Sequence, residues 1–170
     1  MNFVAIDFET AKLHHICAVG IVTVNNSKIV DEYYTLVQPP YNAYDWRTIQ
    51  VHGIQPQDTE DAAIFPDIYQ EIYKRLKGKV VVAHNESFDR NVLKKTMADY
   101  HLDYDELALP ARWECTMRRA RKAKYASSKL DACCKIHNIA LNHHEALSDA
   151  RACALLLMEL ENAGNGVFSF

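Results

Sequence analysis

A chain of 170 residues in which 49% are hydrophobic and 24% charged has the composition of an ordinary globular domain, long enough to bury roughly 70% of the surface its unfolded form exposes. A net charge of −3 excludes a broadly basic nucleic-acid coat, and no apolar run approaches the roughly 18 residues of a membrane span. The first strand-like run starts at Asn2-Phe3-Val4 with no basic segment before it, which predicts a cytoplasmic protein without a secretory signal or a membrane partner.

Residues 3–6 read as a short buried strand, and residues 16–24 as a second that includes the small residues Ala18 and Gly20. Asn25-Asn26-Ser27 marks a turn and residues 28–37 read as a third strand, so the three form an antiparallel meander that ends at Gln38-Pro39-Pro40. Residues 41–65 read as irregular apart from a short helix near 45–51. A helix over 66–76 follows from Pro66 in its first turn and from Ile68, Ile72 and Leu76 at every fourth position, with Gly78 as its stop. Residues 80–83 are a continuous apolar run, the pattern of a fully buried parallel strand. Helices are predicted over 87–99, capped by Ser87, and near 116–124, 128–137 and 146–163. Strands first, then strand and helix in alternation, predict an α/β fold: a mixed β-sheet, antiparallel meander plus parallel strands, flanked by α-helices. One domain is expected over 1–163, with 164–170 as a loosely held tail.

Five cysteines, Cys17, Cys115, Cys133, Cys134 and Cys153, lie mostly among apolar neighbours and read as reduced, packed thiols. Cys133 and Cys134, near His137, His143 and His144, raise the question of zinc. Adjacent cysteines on a helix point apart and no CxxC spacing is present, so no zinc site is expected there.

Three short segments carry acidic and histidine side chains. Asp7-Phe8-Glu9-Thr10 stands at the end of the first predicted strand, where residues two apart share a face, so Asp7 and Glu9 present paired carboxylates. Two like charges so placed are stable around a cation. His84-Asn85-Glu86-Ser87-Phe88-Asp89 follows the buried run, at the carboxyl end of a strand, where open α/β sheets place their ligand sites. His143-His144-Glu145-Ala146-Leu147-Ser148-Asp149 enters the last helix. Asp149 lies there among apolar and small residues and requires a partner or a metal. His144 faces the same site as Asp149 only from the loop or the start of the helix, because an offset of five residues within a helix separates two side chains by about 140°.

The order DFE, N-x-x-x-F-D, H-x-x-x-x-D resembles the histidine-containing (DEDDh) branch of the DEDD exonuclease superfamily, and most closely free-standing relatives of the DNA polymerase III epsilon, or DnaQ-like, proofreading subunit. Val51-His52-Gly53-Ile54 and Asp149-Ala150-Arg151-Ala152 match in kind, and the resemblance spans nearly the whole chain. It implies a ribonuclease H-like fold, Asp7, Glu9, Asp89 and Asp149 as ligands of two divalent cations (Mg²⁺ or Mn²⁺), and His144 as general base. It also implies substrate contacts from Thr10, Asn85, Phe88 and His52. The segment from Ala11 to His15 reads as a loop shorter than in many relatives.

The chemistry suits these residue types: hydrolysing a phosphodiester requires an activated water and a stabilised departing 3′-oxygen, and hard oxygen donors hold the ions that assist both. A histidine titrating near neutrality can take the water's proton. The expected function is therefore 3′–5′ exonucleolytic hydrolysis of single-stranded nucleic acid to nucleoside 5′-monophosphates. DNA is favoured over RNA, and a polymerase or repair partner fits the resemblance. The alternatives are an RNA-trimming exoribonuclease and a non-catalytic nucleic-acid-binding or subunit-docking domain. Arg118-Arg119-Ala120-Arg121-Lys122-Ala123-Lys124 reads equally as a phosphate guide or a solvated helix face, and Tyr41, Tyr44 and Trp46 as packing aromatics before base-stacking ones.

Overall fold

The apolar run at the N-terminus opens a strand that continues through the acidic residues, so β1 covers Phe3–Lys12. Asp7 and Glu9 therefore lie inside a strand and not at its end. The reason is the partner strand: β2 (His15–Asn25) pairs antiparallel with β1 along its length, with Asp7 opposite Gly20 and Glu9 opposite Ala18. The segment expected as a loop after Thr10 is the end of β1, a tight turn at Leu13-His14 and the first residue of β2. These features belong to a computed structural model that describes residues 1–164 of the chain. The expected tail falls outside the described residues, apart from Gly164.

β2 pairs antiparallel with β3 (Lys28–Leu36), and β1 pairs on its other side with the parallel strand β4 (Val81–Ala83), which pairs with the short β5 (Glu114–Cys115). The resulting order, β3-β2-β1-β4-β5, is the mixed sheet that the element pattern predicts. Seven α-helices accompany it among the described residues: α1 (Trp46–His52), α2 (Pro56–Thr59), α3 (Phe65–Leu76), α4 (Glu86–Asp99), α5 (Thr116–Lys122), α6 (Leu130–His137) and α7 (Ala146–Gly164). α2 escapes a periodicity argument because four residues are barely one turn. It is held by reciprocal capping between Gln55 and Asp58. α4 begins before Ser87: Asn85, in the left-handed conformation at φ 72°, is its cap residue, and the Ser87 hydroxyl donates to Asn85 Oδ1. Among the described residues no helix is long and apolar enough to cross a membrane. All five cysteines are buried and free.

β1 is buried on both faces, and alternation sorts its residues. Val4, Ile6 and Phe8 join a core with Ile68, Ile72 and Leu76 of α3 and Val92, Leu93 and Met97 of α4. Phe3 and Ala5 pack on the opposite face against Ala150, Cys153, Ala154 and Leu157 of α7. Asp7 and Glu9 continue that odd-numbered face, so the strand delivers them to the side covered by α7. Gly20, opposite Asp7, lies directly under the start of α7. A Cβ built there would stand 2.1 Å from the Ala146 carbonyl oxygen and 2.5 Å from the Leu147 nitrogen. Only a residue without a side chain lets the start of α7 lie directly over the strand.

Candidate active site

Three carboxylates meet where α7 crosses the sheet: Asp7, Glu9 and Asp149 each offer an oxygen, and these oxygens lie within 4.8 Å of one another. Asp89 arrives from α4. β4 ends at Ala83, so Phe8 has no strand neighbour on that side, and its backbone N–H donates to Asp89 Oδ1 at 3.1 Å. The parting of two parallel strands thus creates both the gap and the hydrogen bond that fixes the fourth acid. Beyond Glu9 the β1–β2 ladder slips twice. Such bulges free backbone carbonyls, and α1 captures them. The Ala11 carbonyl accepts from Asp45 N and from the Thr48 hydroxyl, and the Thr10 carbonyl faces His52 Nε2 at 3.2 Å.

Burial presses all four acids toward protonation, and at Asp7 and Glu9 the neighbouring carboxylates add to it. Asp7 is raised well above its ordinary value, first by burial and then by Asp89, Asp149 and Glu145. Glu9 is pushed up to about 9, by burial and then by Asp7, Asp149 and Glu145. Asp89 is raised by burial against the opposing Phe8 N–H, and Asp149 by burial against the opposing hydrogen bond from His143. A buried cluster of this kind keeps its negative charge only with a cation among its oxygens, and oxygen-only donors suit hard divalent ions. The residues present therefore fit divalent metal.

The approach to α7 is built from side chains that satisfy its first turn. Glu145 accepts from the backbone N–H groups of Leu147 and Ser148, and the Ser148 hydroxyl accepts from Asn142 N. His144, at φ 68°, stands in the turn before the helix and donates its backbone N–H to Asp149 Oδ2 at 3.0 Å. The left-handed residue folds the two histidine rings together, with centroids 3.8 Å apart. As a result His143, not His144, places a ring nitrogen on Asp149, with Nδ1 at 3.0 and 3.2 Å from its two oxygens. The four-residue gap between His144 and Asp149 gives no sign of this. The doubled histidine is the only hint in the sequence. The His144 ring lines a cleft of about 460 Å³ with His52, Ile54, Tyr34, Glu145 and His143. Burial and the His143 ring lower its pKa, against Asp149.

The remaining residues singled out from the sequence divide. Thr10 is buried beside Glu9, and Phe88 is half exposed at the start of α4. Asn85 is exposed in its left-handed cap position. His52 Nδ1 accepts from Ile54 N at 3.0 Å, which leaves the proton on Nε2 for the Thr10 carbonyl. Both ring nitrogens are thus engaged with the chain's own backbone, and what the ring can offer a ligand is its face toward the cleft. Of the basic run, Arg118 pairs with the buried Glu86, and Arg119 with Glu114 and Glu161, so these two fasten α5 and do not form a free phosphate track. Tyr44 is committed to Thr59 through a hydroxyl contact of 2.8 Å, while Tyr41 and Trp46 are exposed.

A mixed sheet with clustered carboxylates at the point where its parallel strands part is the frame of a metal-dependent nuclease. The sequence profile of the exonuclease family RNase_T matches residues 4–157. The chain belongs to this family of exonucleases. It is 32% identical to the 3′-5′ exonuclease DinG of Staphylococcus haemolyticus, over 93% of this chain and 18% of the relative. It is also 32% identical to the PolC-type DNA polymerase III of Thermotoga petrophila, over 92% of this chain and 12% of the relative. The chain thus spans under a fifth of the length of these relatives. Among solved structures it superposes on exonuclease X in complex with 5′-overhanging duplex DNA, at a TM-score of 0.74 and 27% identity, covering 95% of this chain and 92% of that one. The nuclease domain of 3′hExo bound to rAMP has a TM-score of 0.79 at 17% identity, covering 96% and 92%, and shares the fold.

Proposed function

We propose that residues 1–163 form a metal-dependent exonuclease that removes nucleotides from the 3′ end of single-stranded DNA and releases nucleoside 5′-monophosphates, in the cytoplasm and in company with a polymerase or repair protein. The observation that carries this reading is the convergence of Asp7, Glu9 and Asp149 within 4.8 Å, with Asp89 fixed beside Asp7 by the Phe8 N–H. These four would hold two divalent ions, Mg²⁺ or Mn²⁺. When bound, such ions offset the charge of the scissile phosphate and of the departing 3′-oxygen and lower the pKa of an attacking water.

The chain's own groups do the rest. His144, at the cleft wall and with no hydrogen bond from its ring among the described residues, would take a proton from the attacking water. The water oxygen bonds to phosphorus, the bond from phosphorus to the 3′-oxygen breaks, and the phosphate leaves on the 5′ position of the released nucleotide. Thr10 and Phe88 would contact the terminal nucleotide, with Asn85 shaping the approach to Asp89. DNA is the substrate that best fits the likeness to exonuclease X, whose structure holds DNA.

The test is product analysis with DNA and RNA oligonucleotides of one sequence, each labelled at the 5′ end in one set and at the 3′ end in another. Faster shortening of DNA, with mononucleotides as product, supports the reading. Faster shortening of RNA would make the chain an exoribonuclease, and binding of either without shortening would make it a docking domain.

A further inference from the structure

A second group of metal-ligating side chains lies outside the carboxylate cluster and shares no residue with it. The turn at Leu13-His14 between β1 and β2 packs against the end of α4, where the Thr96 hydroxyl donates to the His14 carbonyl at 2.9 Å. Two imidazoles and one carboxylate meet there. His14 Nε2 is 2.7 Å and His15 Nε2 3.9 Å from the same oxygen, Asp99 Oδ2. One ligand atom from each of the three residues falls within 4.8 Å of the others. Asp99 is ten residues beyond Asp89 on α4, about 15 Å along the helix axis, so this group is a separate centre.

We propose that His14, His15 and Asp99 form a site for a zinc-like divalent ion that staples the tip of the β1–β2 hairpin to the end of α4. The donor set is the first argument. Two imidazoles and a carboxylate select borderline ions such as Zn²⁺, whereas the all-oxygen set of Asp7, Glu9, Asp89 and Asp149 selects Mg²⁺ or Mn²⁺. Geometry is the second. Ligand bonds near 2.1 Å in a tetrahedral arrangement separate donor atoms by about 3.4 Å, between the two distances found here. The state of His15 is the third. Its Nδ1 is buried without a hydrogen-bond partner, and 3.9 Å from Nε2 to Asp99 is too long for a hydrogen bond. The ring is held with Nε2 toward Asp99 but beyond hydrogen-bond reach of it, and an ion shared by His14, His15 and Asp99 would bond to that Nε2. Burial and the neighbouring His14 lower its pKa, with Lys12 adding to this and Asp99 opposing. Asp99 is half exposed, so a fourth ligand would come from solvent.

The site is tested by counting Zn²⁺ bound to the full chain in competition with a chromophoric chelator, in millimolar Mg²⁺, alongside the visible spectrum with Co²⁺. The wild type should bind one equivalent that His15→Ala and Asp99→Ala each lose or hold at least tenfold more weakly, while Asp149→Asn retains it. Asp99→Asn, which keeps the shape of the side chain, should show the same loss and serves as the control for folding. Unchanged stoichiometry and affinity in the Asp99 variants would overturn the proposal, as would an equivalent that disappears with Asp149→Asn alone.

Discussion

His143 and His144 are neighbours in sequence, yet they meet Asp149 through different atoms, one by its ring and the other by its backbone N–H. If His144 takes the proton from water, His144→Ala should lower single-turnover hydrolysis by about 10²–10⁴-fold while leaving DNA binding intact. His143→Ala should cost less than about tenfold, because its ring holds Asp149 in the protein without metal and yields that carboxylate when an ion takes it. Exchanged phenotypes would transfer the role of base to His143. The acids make a second prediction. Glu9 is pushed up to about 9 from an ordinary 4.5, so between these values the unfolded chain loses a proton that the folded chain keeps. That contribution makes the metal-free protein less stable as pH rises through this window. The melting temperature of metal-free Glu9→Gln should therefore fall less than that of the wild type between pH 5 and 8. Parallel curves would show that Glu9 is not held protonated. The three motifs could be read from the sequence because each is a short unbroken segment with its own spacing. The ring of His143 could not, because it reaches Asp149 only through the left-handed backbone of His144.

At the scale of elements, the site depends on α7 lying close over β2. Gly20→Ala would bring a Cβ to 2.1 Å from the Ala146 carbonyl, a backbone atom that cannot rotate aside. The expected cost is about 1–3 kcal/mol of stability, with a loss of Mg²⁺ affinity because Asp149 enters the cluster from that turn. Ala18→Gly on the same strand removes a methyl but adds no clash, and it separates this effect from simple weakening of β2. Equal Mg²⁺ affinity in Gly20→Ala and wild type would show that α7 repositions without disturbing Asp149. The meander, the buried strand β4 and the long helices were readable from period and turn residues. The extension of β1 to Lys12 was not, because its pairing with β2 carries it past the apolar run into acidic sequence that has no strand pattern of its own. β5 and α2 are too short for any period to show.

For the molecule as a whole, the sheet supplies two acids, α4 a third and α7 a fourth, and these come from three segments, each at least 60 residues from the next, that only the complete fold unites. Activity should vanish in excess chelator and return with Mg²⁺ or Mn²⁺. Ca²⁺, with its larger radius and looser geometry, should bind without supporting efficient turnover. Replacing Asp7 or Asp149 by Asn should abolish turnover by several orders of magnitude. At Asp7 the change should leave the metal-free protein no less stable, because burial and the neighbouring acids already press that carboxyl toward its neutral form. A large fall in the melting temperature of Asp7→Asn would instead mark Asp7 as a structural partner. The most direct measurement is the fate of a 5′-labelled single-stranded oligonucleotide incubated with the protein and Mg²⁺. A ladder that descends one nucleotide at a time, absent in Asp149→Asn, is the predicted result. Immediate release of the label, or cleavage of a closed circular single strand, would contradict it.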